Sequence, residues 1–202
     1  MRNMQKGAIT MLDIMGWKGI WERHKDPVGE LKKVRDVTGS NIKGTQEDLQ
    51  EYWGYKNLET KYLTFSDTII MINIGEPKKT IDFQVSLTSS IIINCILSGL
   101  PVRGVISYGD LYLEDTIYMG PAVDEVAENH QKPRFIGCYL TESATKMHEI
   151  CCVDLIDYPV PIKTGNIKRK VVNWVKSWLK FYDFSFEKLD KCISIMKGSS
   201  SE

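Results

Sequence analysis

Residues 62–74 constrain the fold more than any other stretch of this sequence. Tyr62, Leu63 and Phe65, then Thr68-Ile69-Ile70-Met71-Ile72-Asn73-Ile74, place β-branched and aromatic side chains on both sides of a Ser66-Asp67 pair. That is the pattern of two strands joined by a tight turn. A hairpin is marginal in water unless another strand or a helix covers it. The following segment offers such a helix: residues 80–97 carry Phe83, Leu87, Ile91 and Cys95 at helical spacing. Glu76-Pro77-Lys78-Lys79 ends the strand before it, and Gly99-Leu100-Pro101 stops the helix after it.

Upstream, residues 7–14 read Gly-Ala-Ile-Thr-Met-Leu-Asp-Ile, a short apolar run with one carboxylate near its end. A buried central strand that delivers a single functional group looks like this. After Gly16, residues Trp17, Ile20, Trp21 and His24 repeat at helical spacing, and Asp26-Pro27 starts a second helix, carried weakly by Leu31, Val34 and Val37. Thr38-Gly39-Ser40-Asn41 and Lys43-Gly44-Thr45 read as an exposed loop. Downstream the expectation is a strand over 102–108, a mostly polar connection with some β character over 109–119, a helix over 122–129 and a strand over 135–139. A helix over 141–149 capped by Thr141, strands over 153–156 and 171–174, and a last amphipathic helix through Phe186, Leu189, Ile193 and Met196 complete it. Strands and helices in the order β-α-β-β-α-β predict a ferredoxin-like α+β core in a single domain over 1–197, with a frayed tail over 198–202.

Composition narrows the function classes. With 26 basic and 26 acidic side chains interspersed, a binder that neutralises many nucleic-acid phosphates is not expected. The apolar run Ile91-Ile92-Ile93 ends at Asn94, well short of the roughly 20 residues of a membrane span. Asp13 interrupts the first apolar stretch and no cleavage pattern follows, which argues against a signal peptide. Cys95, Cys138, Cys151, Cys152 and Cys192 are odd in number and partly embedded in apolar segments, which suits reduced thiols in a cytoplasm. His24, His130 and His148 lie far apart and no Cys-x₂-Cys pair exists, so a zinc site is not expected; His130 reads as a helix-end residue. The tryptophans read as packing or dimer contacts. Lys168-Arg169-Lys170 reads as a solvated strand end, or as a surface for an acidic partner.

The chemistry centres on Asp13 and Asp67. A carboxylate in an apolar strand or strand turn needs a cation or a donor beside it. If the first strand lies beside the hairpin, both carboxylates meet at one sheet edge. Two Asp groups with a main-chain carbonyl and substrate phosphates make a hard-oxygen site of the kind Mg²⁺ or Mn²⁺ prefers. Met15-Gly16-Trp17 then opens a helix whose N–H groups could hold a phosphate. The same two aspartates are also residues that cap a helix and shape a turn.

Ile9-Thr10-Met11-Leu12-Asp13-Ile14-Met15-Gly16-Trp17 resembles the first-strand motif of the class III nucleotidyl cyclases. Lys61-Tyr62-Leu63-Thr64-Phe65-Ser66-Asp67 resembles their hairpin, with Ser66 in place of a glycine. Val102-Arg103-Gly104-Val105-Ile106-Ser107-Tyr108-Gly109 is similar to their fourth strand, and Met119-Gly120-Pro121-Ala122-Val123 to the start of the helix after it. The blocks occur in order over residues 8 to about 129. The resemblance implies a homodimer with active sites at its interface, and two divalent cations held by Asp13, the Ile14 carbonyl and Asp67. These would align the 3′-oxygen of a nucleoside triphosphate with its α-phosphate. Met15, Gly16, Trp17, Lys61 and Tyr62 are the implied substrate contacts.

The sequence departs from the purine-specific enzymes where they carry an Asn and an Arg on the helix after the fourth strand; those positions fall on Asp124 and Glu128. Arg103, Lys163 or Lys132 could supply the missing cation. Arg103 lies within a strand and needs an anion there, either a ligand phosphate or a structural carboxylate. The acidic residue that reads adenine aligns with Ile117, and its lysine partner with Lys61. The strand Arg-Gly-x-Ile-Ser-x-Gly, the Gly-Pro-Ala-Val helix start, and Val160 to Gly165 followed by Asn173-Trp174 look more like the bacterial pyrimidine cyclases of the Pycsar antiphage system. Those make cyclic UMP or cyclic CMP for a partner effector. The implied activity is cyclisation of UTP or CTP. A cyclase-fold sensor module and a purine cyclase are the alternatives.

Overall fold

A computed structural model describes residues 4–23, 25–53, 58, 60–115, 117–147, 154–181 and 186–199. Strand β1 (Gln5–Ile14) lies in the middle of the sheet, and every residue of it from Gly7 onward is buried. It pairs antiparallel with β3 (Thr68–Ile74) on one side and with β4 (Val102–Glu114) on the other. β2 (Thr60–Phe65) closes the expected hairpin on β3, and Ser66 takes up the left-handed turn at φ 54°. Beyond β4 come β6 (Gly137–Leu140), β8 (Gly165–Val172) and β7 (Leu155–Ile162), while β5 (Ile117–Met119) folds back on β4. Among the described residues, only the β4–β6 pair is parallel.

The helices α1 (Ile20–Arg23) and α2 (Pro27–Trp53) connect β1 to β2, and α3 (Pro77–Leu97) connects β3 to β4. With the spatial order β2-β3-β1-β4, this is the β-α-β-β-α-β core that the sequence predicts. α4 (Pro121–Asn129), α5 (Glu142–Thr145), α6 (Trp174–Phe181) and α7 (Phe186–Ser199) complete the chain's described elements.

Strand register assigns side chains to faces. Ala8, Thr10, Leu12 and Ile14 of β1 face α3, and the main core gathers there with Phe83, Leu87, Ile91, Trp174 and Trp178. α3 is long and apolar enough to cross a membrane, yet 78% of that stretch is buried inside the fold. Ile9, Met11 and Asp13 point the other way. There Ile72, Val105, Leu111 and Tyr139 form a second cluster, which α4 covers through Ala122 and Val126.

Several elements differ from expectation, each for a tertiary reason. α2 is one continuous helix through residues 38–45, where a loop is expected. Thr38, Ile42 and Thr45 are buried, the Thr38 hydroxyl and Asn41 amide return to carbonyls four residues back, and Asn94 of α3 donates to Asn41. Burial against α3 thus overrides weak helix propensity. β4 continues through the expected polar connection because β5 pairs with it. Thr141 occupies the cap position of α5 but makes no capping bond; its hydroxyl meets that of Ser143 at 3.2 Å. α5 ends at Thr145, and residues 148–153, including the start of one expected strand, lie outside the described residues. Trp174 opens α6 rather than ending a strand. α7 runs through Gly198 and Ser199, two residues of the expected tail.

Candidate active site

The site is built on one row across the second face of the sheet. Asp13 at the end of β1 lies directly opposite Thr68 of β3 and Arg103 of β4, and Phe65 lies opposite Thr68. The Ile14 N–H donates to the Asp67 carbonyl at 2.9 Å, which fastens the hairpin turn to the end of β1. Asp13 is only 3% exposed. The anion that the sequence requires beside Arg103 is, in this structure, that aspartate: Nε and Nη2 both donate to Asp13 Oδ2 at 3.0 Å, and Nη1 donates to the Pro133 carbonyl at 3.3 Å. Burial pushes the Asp13 carboxyl above the usual carboxylate range; Arg103 opposes that shift and the nearby charge of Asp67 adds to it. The Asp67 carboxylate itself makes no hydrogen bond or ion pair among the described residues. Asp13 and Asp67 are therefore close enough to repel, and the Arg103 guanidinium is engaged with Asp13 alone of the two.

Whether a divalent cation suits this place can be judged from the donors. Two carboxylates with a deficit of positive charge are the hard-oxygen chemistry that Mg²⁺ and Mn²⁺ take. No group of three or more His, Cys, Asp or Glu side chains converges among the described residues, so main-chain and substrate oxygens would have to complete the coordination. The donor set fits on those terms.

The other sequence candidates divide. The Met15 N–H donates to the Pro101 carbonyl at 2.8 Å and is not available to a phosphate. The turn after it does not open a helix directly, because α1 starts at Ile20 and has only four residues. Gly16 has φ 74°, and a Cβ there would come within 2.8 Å of Ile195 in α7, so its glycine has a packing reason. Trp17 packs against the main core. Lys61, opposite Ile72, shares the face of Asp13. Tyr62, opposite Met71, lies on the other face with its hydroxyl beside Gly39 of α2; the period of a strand separates it from the Asp13 row. Lys163 is exposed in the β7–β8 turn, next to Ile162, which bridges to Pro133, the residue whose carbonyl Arg103 holds. Lys132 is committed to Glu128 and Asn129 at 2.9 and 3.1 Å. Arg169 and Lys170 are likewise paired, with Glu142 and Asp157; they lie within β8, half-buried, rather than at a solvated strand end.

Sequence reading missed three features. His130 caps the C-terminus of α4, as expected, but also lies within electrostatic reach of Asp13. Pro133 supplies a carbonyl that no spacing rule would single out. Glu125 of α4 accepts hydrogen bonds from the hydroxyls of Ser107 and Ser143 and from the Ser143 N–H. Burial alone would raise its carboxyl, but these bonds outweigh it and hold the group below its ordinary value. The one available signal was Ser107, a polar residue that strand alternation places on the same face as Val105 and Leu111.

No protein-family model matches the sequence, and no curated protein matches it significantly. Solved structures do. The catalytic core of a rhodopsin-guanylyl cyclase with converted specificity, in complex with ATPαS, superposes with a TM-score of 0.55 at 14% identity over 84% of this chain and 96% of that one. An adenylate/guanylate cyclase/hydrolase from Silicibacter pomeroyi gives 0.55 at 15% identity, over 84% and 95%. A bacterial light-regulated adenylyl cyclase gives 0.54 at 13% identity over 98% of this chain and 58% of its own. Carboxylates at the end of a central strand, on a sheet of this order with flanking helices, thus stand on the fold of the class III nucleotidyl cyclase catalytic core.

Proposed function

We propose that this protein is a nucleotide cyclase that converts a pyrimidine nucleoside triphosphate, UTP or CTP, to its 3′,5′-cyclic monophosphate and pyrophosphate. The observation that carries the reading is the placement of Asp13 beside Asp67 at the end of β1, on a cyclase fold. In the reaction the 3′-oxygen attacks the α-phosphorus, the bond to the β-phosphate breaks, pyrophosphate departs and the hydroxyl proton passes to solvent. Two divalent cations, Mg²⁺ or Mn²⁺, held by Asp13, the Ile14 carbonyl and Asp67, would supply activation of the 3′-oxygen and charge neutralisation of the phosphates. Lys61, on the face it shares with Asp13, would meet the base, and the exposed Lys163 of the β7–β8 turn would offer a cation to the polyphosphate. The pyrimidine preference rests on the apolar Ile117 where purine enzymes read adenine, and on the motif resemblance; Tyr62 is turned to α2.

The active form is a homodimer. Leu63, Ile70, Ile74, Leu113 and Tyr118 remain only partly covered on the second face, and Phe65 at the hairpin tip is 74% exposed. Such a surface suits a self-complementary partner. The cyclic product acts as a second messenger for a separate effector in antiphage defence, in the cytoplasm. Incubation with each of the four ribonucleoside triphosphates and Mn²⁺ should give a cyclic product and pyrophosphate from UTP or CTP. A folded protein that gives none from any triphosphate ends the proposal, while cyclic AMP or GMP corrects only the base.

A second reading, a cyclase-fold sensor that binds without turnover, is favoured by Asp124 and Glu128 at the positions of the Asn and Arg, Glu128 being neutralised by Lys132. Nucleotide binding that is indifferent to Mn²⁺, with no pyrophosphate released, would select it.

A further inference from the structure

We infer that Arg103 is a positioning residue for the cation site: it holds Asp13 by one carboxylate oxygen and so presents the other to a divalent ion. This rests on the metal reading of Asp13 and Asp67 given above. An arginine free to choose its geometry grips a carboxylate fork to fork, one nitrogen on each oxygen. Here Nε and Nη2 both donate to Oδ2, and Oδ1 accepts no hydrogen bond among the described residues. Nor is Oδ1 among the side-chain atoms sealed from solvent without a partner, which are Thr64 Oγ1, Thr88 Oγ1, Ser89 Oγ and Tyr139 Oη.

The grip is fixed from both sides. Asp13 and Arg103 are direct cross-strand neighbours, so their backbones cannot drift apart, and the third guanidinium nitrogen is anchored on the Pro133 carbonyl. The two side chains are 5% and 17% exposed, so water does little to loosen the pair. A ligating carboxylate oriented by a buried donor is how outer partners tune a metal site. Arg103 therefore acts on the reaction through Asp13, and the missing transition-state cation is left to another group.

Mn²⁺ binding by the full chain, read from the EPR signal of free Mn²⁺ without nucleotide, tests this. Arg103→Gln should weaken binding by roughly 10- to 100-fold, the usual consequence of removing an outer-sphere partner. Arg103→Lys, which keeps the charge but offers no fork, should recover part of the loss. In turnover, the Arg103→Gln defect should shrink as Mn²⁺ is raised. Far-UV circular dichroism establishes that each variant is folded, and if the glutamine variant is not, the lysine variant decides. A folded variant that binds Mn²⁺ as tightly as the parent, or more tightly, overturns the inference, as does a turnover defect that persists at saturating Mn²⁺, which would place Arg103 on substrate. Asp13→Asn separates the two levels. If it abolishes Mn²⁺ binding while Arg103→Gln does not, only the role of Arg103 fails. If it leaves binding unchanged, the metal reading fails and takes this inference with it.

Discussion

The two faces of the sheet treat polar groups in opposite ways. On the face covered by α3, Thr10, Gln84, Asn73 and Thr60 pass hydrogen bonds along a closed chain: Thr10 to Gln84 at 2.6 Å, Gln84 to Asn73 at 2.6 Å and Asn73 to Thr60 at 2.8 Å. The polar atoms without a partner on this side, Thr64 Oγ1, Thr88 Oγ1 and Ser89 Oγ, are sealed from solvent. On the other face, Asp13 keeps an unengaged oxygen, Asp67 keeps its whole carboxylate, and hydrophobic side chains stay half covered. Polar groups engaged with one another specify a core, whereas carboxylate oxygens left without a donor mark where the molecule expects company. One strand, β1, serves both ends through the alternation of its side chains.

Seven substitutions would sharpen or break that contrast. Asp13→Ala and Asp67→Ala should have the largest effect, a loss of several kcal/mol of transition-state stabilisation and hence of all but residual turnover, with the circular dichroism spectrum preserved. On the opposite face, Phe83→Ala should leave the chemistry in place but lower the unfolding free energy by about 3–5 kcal/mol in urea, as loss of a fully buried ring does. Phe65→Glu should raise the dimer dissociation constant by roughly 100-fold in sedimentation while leaving monomer stability within about 0.5 kcal/mol, since the ring is exposed in the protomer.

Glu125→Ala should cost about 2 kcal/mol, the worth of its charged hydrogen bonds to Ser107 and Ser143. Because the folded protein holds this carboxyl below its ordinary value, its contribution is complete above the unfolded value of about 4.5 and fades as pH falls through the folded one. Glu125→Gln should accordingly flatten the acid limb of a stability profile. Ser66→Gly should have the smallest effect, a gain of about 0.5–1 kcal/mol in thermal unfolding, because serine pays a steric penalty at φ 54° that glycine does not.

Much of this was legible in the residues, and the rest was hidden for identifiable reasons. β1, the β2–β3 hairpin and α3 announce themselves because burial on both faces, or on one long stripe, leaves a strong pattern. Residues 38–45 conceal their helix because their glycines, threonines and asparagine are poor helix formers that only packing on α3 rescues. At the site, a lone carboxylate in an apolar strand correctly implied a cation, and strand order placed Arg103 within reach. Which of Lys61 and Tyr62 shares the face of Asp13 required the register, and the occupation of the Met15 N–H by Pro101 required the third dimension altogether.

β4 has a mechanical consequence. It is paired without interruption from Arg103, beneath the carboxylate row, to Glu114, in the arm it shares with β5; eleven steps of about 3.3 Å make a straight reach of roughly 36 Å. A strand held along its length by β1 and then β5 has no joint at which to fold. The strand thus works as a fixed rail: the register that sets the arm at one end also sets the guanidinium against its carboxylate at the other.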